Sequence, residues 1–478
     1  MPRVSVVLAA YNHARFVGRA IDSVLQQTFQ DFEIVATDDG SIDATADVIG
    51  SFTDPRISLR RFTVNRQDSP RNDCLARATG EFVAILNSDD EFRPEKLARQ
   101  VAFMDSHPEV SAVFCAVGLI DEDGAPFQDR THPYCSAFDN RNRTRLEWLR
   151  RFFLQGNCLC HPAVLMRRSA LDRVGGYNPL LGGLGDLDLW VRLSLQGELH
   201  VLDAVLVDMR IMRDESNASG QRPDVIRRAA FEFLTVLRHY RSPAALAALD
   251  RIFPELIPEI TGRSDAARLH ALACFALEQP SNTHRMFGLE LLYDLLSDHG
   301  TRNELQAMRD RPLLGEFIAL TGQRTPLADP ILVTRLLWPA DDGTYALERS
   351  QAIRCPTVRR TITLRGPCLA QGTRLHLRPC DGHGLVSVGS IVVTDSASGR
   401  TLVALTTPRE LGRLEVWGSA VLLPCTDRFR LIASGTHPTI VLPPLDNPTK
   451  GSVLVTIDLE VTTDVTDLLS RIDFTQLR

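Results

Sequence analysis

The chain has 478 residues, 44% of them hydrophobic and 23% charged, with 59 acidic and 53 basic side chains and a net charge of −6. That is the composition of a globular protein of roughly two to four domains. It argues against a nucleic-acid partner, because no basic stripe interleaved with aromatics occurs. No apolar run reaches the roughly eighteen residues of a spanning helix. The first one breaks at Tyr11-Asn12-His13, too early for a signal peptide. The expectation is a cytoplasmic protein whose membrane association is at most peripheral. The ten cysteines are scattered without a C-x-x-C pair, as in a reduced protein. Cys158-Leu159-Cys160-His161 lacks a second ligand pair at zinc spacing.

Residues 3–120 alternate strand and helix. Strands are predicted over 4–9, 32–36, 57–62, 81–86 and 111–118. Helices are predicted over 15–27, from a cap at Ser41 or Asp43 to Phe52, over 71–79 up to Gly80, and over 94–106 with Pro94 in the first turn. Strands separated by helices imply right-handed βαβ units and a mainly parallel sheet. Between 120 and 220 the pattern loosens, with helices at 143–154 and 187–196 and strands at 163–167 and 204–211. From 221 to about 325 every periodic segment is helical (225–240, 244–252, 266–278, 284–298 and 303–321), with apolar residues at three- and four-residue spacing. Beyond about 330, eight or so short β-like runs alternate with turn residues, the pattern of a β-sandwich. The domains read as 1–220, 221–328 (helical domain or linker) and 329–478. Trp338 and Trp417 read as buried sandwich aromatics, with a sugar-stacking platform as the other reading.

Chemistry concentrates at predicted strand ends. The first strand closes in Ala9-Ala10-Tyr11-Asn12 and the second in Thr37-Asp38-Asp39-Gly40-Ser41. Arg71-Asn72 opens a helix, and the apolar run 81–86 ends in Asn87-Ser88-Asp89-Asp90. In a parallel α/β sheet such ends share one crevice. An aromatic ring there can stack on a base, a carboxylate can accept from ribose or base, an arginine can pair with phosphate, and Asp89 can hold a cation against a diphosphate. A surface turn capped by Asp is the plain alternative for 87–90.

In these segments the chain resembles family 2 glycosyltransferases of the GT-A fold. The matching text is Val4 to Asn12, Ala20 to Thr28, Asp38 to Thr45, Ala78 to Phe82, Leu86 to Asp90, His161-Pro162, Arg167-Arg168, Gly175-Gly176-Tyr177 and Asp186 to Leu193, within residues 3–220. The resemblance implies a UDP- or dTDP-sugar donor, Mg2+ or Mn2+, and transfer with inversion to a hydroxyl of a glycan, lipid-linked saccharide or protein. It implies that Ala9, Tyr11 and Asp39 frame base and ribose, with Arg71, Asn87 and Ser88 near the nucleotide. Asp89 becomes the metal ligand and Asp186 the general base. His161, Arg210 and Arg213 become donor, acceptor or lid contacts.

Three positions depart from the pattern: Asn87 for an aspartate, Gly185 for a glutamate before the base, and Met212 for a histidine. The Q-x-x-R-W motif of processive polymerases is absent, so a single addition is expected. Asp186 also fits a cap for the helix 187–196, and Asp188, about 200° round that helix, is not expected to share its site. A catalytically weakened protein acting as a glycan-binding or assembly module is the alternative from another class. A nucleotidyltransferase would need a glycine- and lysine-rich loop after Leu8, which is missing. Acceptor binding and homo-oligomerisation are both open roles for the C-terminal regions.

Overall fold

The computed structural model describes residues 1–462 except 67–69, 130–131, 139–140, 214–216, 218–219, 221, 310–311, 323–331, 341, 382, 419, 424–427 and 435–437. The chain forms two compact units. Met1–Ile211 groups with Arg228–Thr325, and Met212–Arg227 groups with Pro326–Arg478.

The first unit is built on an eight-stranded sheet of β1 (Val4–Ala10), β2 (Phe32–Asp38), β3 (Ile57–Arg61), β4 (Phe82–Asn87), β5 (Glu91–Phe92), β6 (Val110–Ile120), β7 (Leu165–Arg167) and β8 (Glu198–Arg210), in the order β3-β2-β1-β4-β7-β6-β8-β5. Strands β1 and β4 are continuous apolar runs because helices cover both faces. Helix α1 (Val17–Leu25) lays Val17, Ala20, Ile21 and Val24 on the sheet, the i, i+3, i+4, i+7 stripe. Pairs β1–β2, β2–β3, β1–β4 and β6–β8 are parallel. Strand β7 is antiparallel to both β4 and β6, and β5 to β8. The predicted sheet is therefore mainly parallel with antiparallel insertions. Strand β7 is three residues long and enters the sheet from a 3-10 turn at His161–Ala163. In the register, Ala9 lies level with Thr37 on one side and Asn87 on the other. The carboxyl ends of β2, β1 and β4 thus open onto one crevice.

Helices α2 (Thr45–Gly50), α3 (Pro70–Arg77), α4 (Lys96–Ser106), α5 (Tyr134–Ala137), α6 (Arg145–Gln155), α7 (Arg168–Val174), α8 (Gly185–Gln196) and α9 (Pro223–Leu237) follow in order. Helix α6 begins at a complete capping box, Thr144 with Glu147. The helices of 228–325 do not enclose a core of their own but continue that of the sheet. Phe153 of α6 is the hub. Its ring meets Tyr240 at 5.0 Å, Phe253 at 4.9 Å, Phe275 at 6.0 Å and Phe287 at 6.2 Å. His284 Nε2 donates to the Phe153 carbonyl at 2.6 Å. The single helix predicted over 303–321 is two, His299–Gln306 and Leu313–Gly322, because Pro312 cannot continue a helix.

The second unit carries two antiparallel sheets. One runs β10 (Tyr345–Arg354), β9 (Val333–Pro339), β12 (His376–Arg378), β18 (Thr439–Val441), β15 (Glu415–Trp417). The other runs β11 (Arg360–Gly366), β19 (Val453–Thr462), β13 (His383–Asp395), β17 (Phe429–Ser434), β16 (Ala420–Leu423), with β14 (Thr401–Leu405) paired to β13. A separate core of Leu336, Leu364, Leu377, Val386, Val455 and their neighbours lies within this unit. Trp338 packs partly buried against that core, as expected. Trp417 does not. It stands 50% exposed at the end of edge strand β15, edge-on to His376 at 5.3 Å.

Phe153→Ala is expected to cost about 3–5 kcal/mol, the range for emptying a large aromatic site. Sheet and helices of the first unit should still unfold in one denaturant transition. A protease-resistant fragment containing residues 228–325 alone would contradict the shared core.

Candidate active site

The crevice starts where β1 and β2 end. Asn12 adopts a left-handed conformation (φ 53°), which asparagine tolerates. Its backbone N–H donates to Ser41 Oγ at 2.9 Å, and its Oδ1 accepts the Ile42 N–H at 2.9 Å. These bonds stitch the two loops together and leave Tyr11 42% exposed at the mouth. Asp39 is buried and accepts the Arg66 N–H at 3.0 Å, while its own N–H donates to the Ala10 carbonyl at 2.9 Å. Gly40 has φ +72°, and a Cβ there would stand 2.3 Å from the Val64 carbonyl carbon. Only glycine fits the turn on both grounds.

At the end of β4 the acidic turn is tightly held. Asn87 Nδ2 donates to Asp90 Oδ2 at 2.8 Å, and the Arg210 backbone N–H donates to Asp90 Oδ1 at 2.8 Å. Burial and the adjacent Asp89 push the Asp90 carboxyl well up from its ordinary value. Asp89 is also raised by burial, against the charges of His13, Arg210 and Arg71. Ser88 is buried, with its hydroxyl 2.7 Å from His13 Nδ1. Arg210 is the brace. Its guanidinium is 0% exposed and donates to the carbonyls of Asp89 (2.8 Å), Asp121 (2.8 Å) and Glu122 (3.2 Å), and it pairs with Glu91. The expectation of Arg210 as a lid or diphosphate contact is corrected accordingly, since a buried, saturated guanidinium cannot close over a ligand.

His161 also differs from an open acceptor contact. Its Nε2 lies 2.7 Å from the Tyr177 hydroxyl and its Nδ1 3.2 Å from Asn87 Oδ1. Because the Asn87 amide donates to Asp90, its oxygen faces His161, so Nδ1 carries the proton and Nε2 accepts from Tyr177. Burial and the Arg71 charge hold His161 well below its ordinary value, which keeps it neutral. Asn72 clamps Tyr177, donating to its carbonyl at 2.8 Å and accepting its N–H at 3.0 Å.

Asp186 sits in the first turn of α8. One oxygen accepts the Leu187 N–H at 2.7 Å and the other accepts from Asn157 Nδ2 at 2.7 Å. Burial drives its carboxyl up to about 6, although the Leu187 N–H, Arg71 and Asn157 all favour ionisation. It is not the helix cap. The helix begins at Gly185, and the cap position, Leu184, has no side-chain acceptor. Arg71 of α3 lies 6.0 Å over the Tyr177 ring, and its charge acts on Asp89, His161 and Asp186 alike. Asp188 points elsewhere, accepting from His239 at 2.7 Å and from Arg192 at 2.6 Å. Arg213 belongs to the Met212–Arg227 segment and is grouped with the second unit.

The strand ends and Arg71 were readable in the sequence. His13 and Asn157 were not, because each acts as a single hydrogen-bonding residue from a loop, and Tyr177, although in the Gly175-Gly176-Tyr177 match, gave no sign of its bond to His161. Among the described residues no cluster of three or more His, Cys, Asp or Glu could hold a metal. The oxygen donors at the acidic turn suit a cation that arrives with a diphosphate, where one carboxylate suffices on the protein side.

Residues 5–175 match the family model described as glycosyl transferase family 2. The putative glycosyltransferase EpsE of Bacillus subtilis is 28% identical over 202 residues, covering 41% of this chain and 68% of that protein. The putative teichuronic acid biosynthesis glycosyltransferase TuaG of the same organism is 35% identical over 145 residues, covering 29% of this chain and 56% of that protein. The chain thus spans 68% of the one relative and 56% of the other. Among solved structures, Staphylococcus aureus TarS 1–349 in complex with UDP-GlcNAc aligns with 59% of this chain and 82% of its own, at 20% identity and a TM-score of 0.41. Among the described residues no helix is long and apolar enough to cross a membrane. With its mixed sheet and its acidic turn at the end of β4, the N-terminal part of this chain matches glycosyl transferase family 2 over residues 5–175.

Proposed function

We propose that the protein transfers one sugar from a UDP- or dTDP-sugar, with inversion, to a hydroxyl of a glycan, lipid-linked saccharide or protein, in the assembly of a bacterial surface polysaccharide or glycoconjugate. The observation that carries this reading is Asp186, a carboxylate held by Asn157 and Leu187 and raised to about 6 beside the same arginine that faces the acidic turn. A base poised there is mostly ionised at neutral pH yet basic enough to take a hydroxyl proton. The name of TuaG, a putative teichuronic acid biosynthesis glycosyltransferase, supports a role in surface polysaccharide synthesis.

In this mechanism Tyr11 and Asp39 hold the nucleoside, and Arg71 faces the phosphates and stabilises the charge of the leaving diphosphate. Asp89 would hold Mg2+ or Mn2+, which supplies Lewis-acid charge to that group when bound. Asp186 takes the proton from the acceptor hydroxyl as it attacks the anomeric carbon from the opposite face. The second unit is proposed to bind acceptor or to join copies of the chain, on the cytoplasmic side of the membrane.

Release of nucleoside diphosphate from a panel of UDP-, dTDP- and GDP-sugars with Mn2+ tests this. Asp186→Asn and Asp89→Ala should each lower turnover by about 10²–10⁴-fold. Near wild-type turnover in Asp186→Asn would remove it as the base. Asp186→Asn should also melt a few degrees higher than wild type at pH 7.5. Its folded pKa near 6 exceeds the ordinary 3.8, so the ionised carboxylate costs stability above pH 6, and that cost disappears below about pH 4. Asn87→Asp should lower stability by about 1–3 kcal/mol at pH 7.5, because it swaps the donor facing Asp90 for a second carboxylate. Wild-type stability in that variant would mean the amide at 87 is not required.

A further inference from the structure

We propose that Glu232 is a positioning residue for Asp186, acting through the backbone that leads into α8. This rests on the reading of Asp186 as the base. The segment Gly182-Gly183-Leu184-Gly185 precedes that residue. Three glycines in four positions carry no side chain to anchor the loop, and glycine loses the most backbone freedom on ordering. The start of α8 also lacks a cap, since Leu184 has no acceptor and Asp186 spends its oxygens on Leu187 and Asn157.

Glu232, from the middle of α9, supplies what is missing. Its carboxylate is 2% exposed and accepts from three consecutive amides: Gly182 at 2.8 Å, Gly183 at 2.9 and 3.2 Å, and Leu184 at 2.6 Å. Arg228, one turn earlier, lies 3.8 Å from it. Three converging N–H groups make an anion-binding concavity, and here a side chain of the same chain fills it. The negative charge also sits at the positive end of α8.

The consequence concerns Asp186. With Glu232 bonded to the amides of 182–184, the backbone that enters α8 is fixed, and with it the place where the Asp186 carboxylate stands between the Leu187 N–H and Asn157. A merely structural Glu232 would affect melting alone. A positioning one fixes where the base stands and how buried it is, and a displacement of about 1 Å costs on the order of a hundredfold in rate.

The test compares wild type with Glu232→Gln, which keeps the shape but turns an N–H towards the amides, and with Glu232→Asp, which keeps the charge on a shorter arm. Amide exchange over residues 181–187, which needs no substrate, should accelerate at least tenfold in Glu232→Gln and less in Glu232→Asp. Turnover on the best donor of the panel should fall about a hundredfold in Glu232→Gln with little change in donor KM. Glu232→Asp should recover part of it. The acid limb of the rate profile should move down from about pH 6 as the burial of Asp186 relaxes. Unchanged exchange over 181–187 in both variants would overturn the proposal, as would an unchanged limb with turnover within twofold of wild type. Should Glu232→Gln fail to fold, the same readouts on Glu232→Asp decide. Failure of the base reading looks different, because Asp186→Asn would then stay active whatever Glu232 does.

Discussion

The site depends on holding carboxylates where water is scarce. Asp90 is buried, Asp89 and Asp186 are partly enclosed, and burial raises the pKa of all three. Ionised carboxylates in such a place are tolerated only with compensating charge or donors. Arg210 provides both from beneath, through its backbone N–H to Asp90 and its guanidinium to the Asp89 carbonyl. Arg71 provides charge from the open side. The division of labour follows from exposure: a fully buried arginine can only brace, and one at the crevice can also meet a ligand.

The same constraint accounts for Asn87. A third acid beside Asp89 and Asp90 would add repulsion, whereas the amide donates to Asp90 and accepts from His161. The relay from Tyr177 through His161 to Asn87 ties β4 to the turn ahead of β7 and to the loop before α8. The departures that look like decay in the sequence are matched by local partners. Gly185 follows a loop whose Gly182, Gly183 and Leu184 amides are satisfied by Glu232, and Asn87 sits in a satisfied network.

Much of this was legible. Strands β1, β2 and β4 announce themselves because sheets covered on both faces need unbroken apolar runs, and D-D-G-S marks a turn that only glycine can make. Strand ends then locate the crevice without coordinates. The rest was hidden for identifiable reasons. Strand β5 has two residues, too few for a periodic signal. Arg210 reads as a free cation at the end of a strand, and only packing reveals that it is enclosed. The helical segment reads as a separate body because amphipathic stripes do not say which surface they meet, and Phe153 lies 87 residues or more from the rings it gathers. Asp186 also fits a helix cap in the sequence, because the carboxylate that binds the amides ahead of the helix comes from Glu232, 46 residues away. Trp417 reads as core because an edge position does not show in composition.

The claim that joins these observations is that burial has tuned Asp186 to act as a base near neutrality. The pH dependence of kcat for donor turnover tests it most directly. An acid limb with a midpoint near pH 6 is expected, because the carboxyl must be ionised to accept a proton and burial raises it from 3.8 to about 6. A rate that stays flat down to pH 4.5, or a limb unchanged by Asp186→Asn in whatever activity remains, would contradict it.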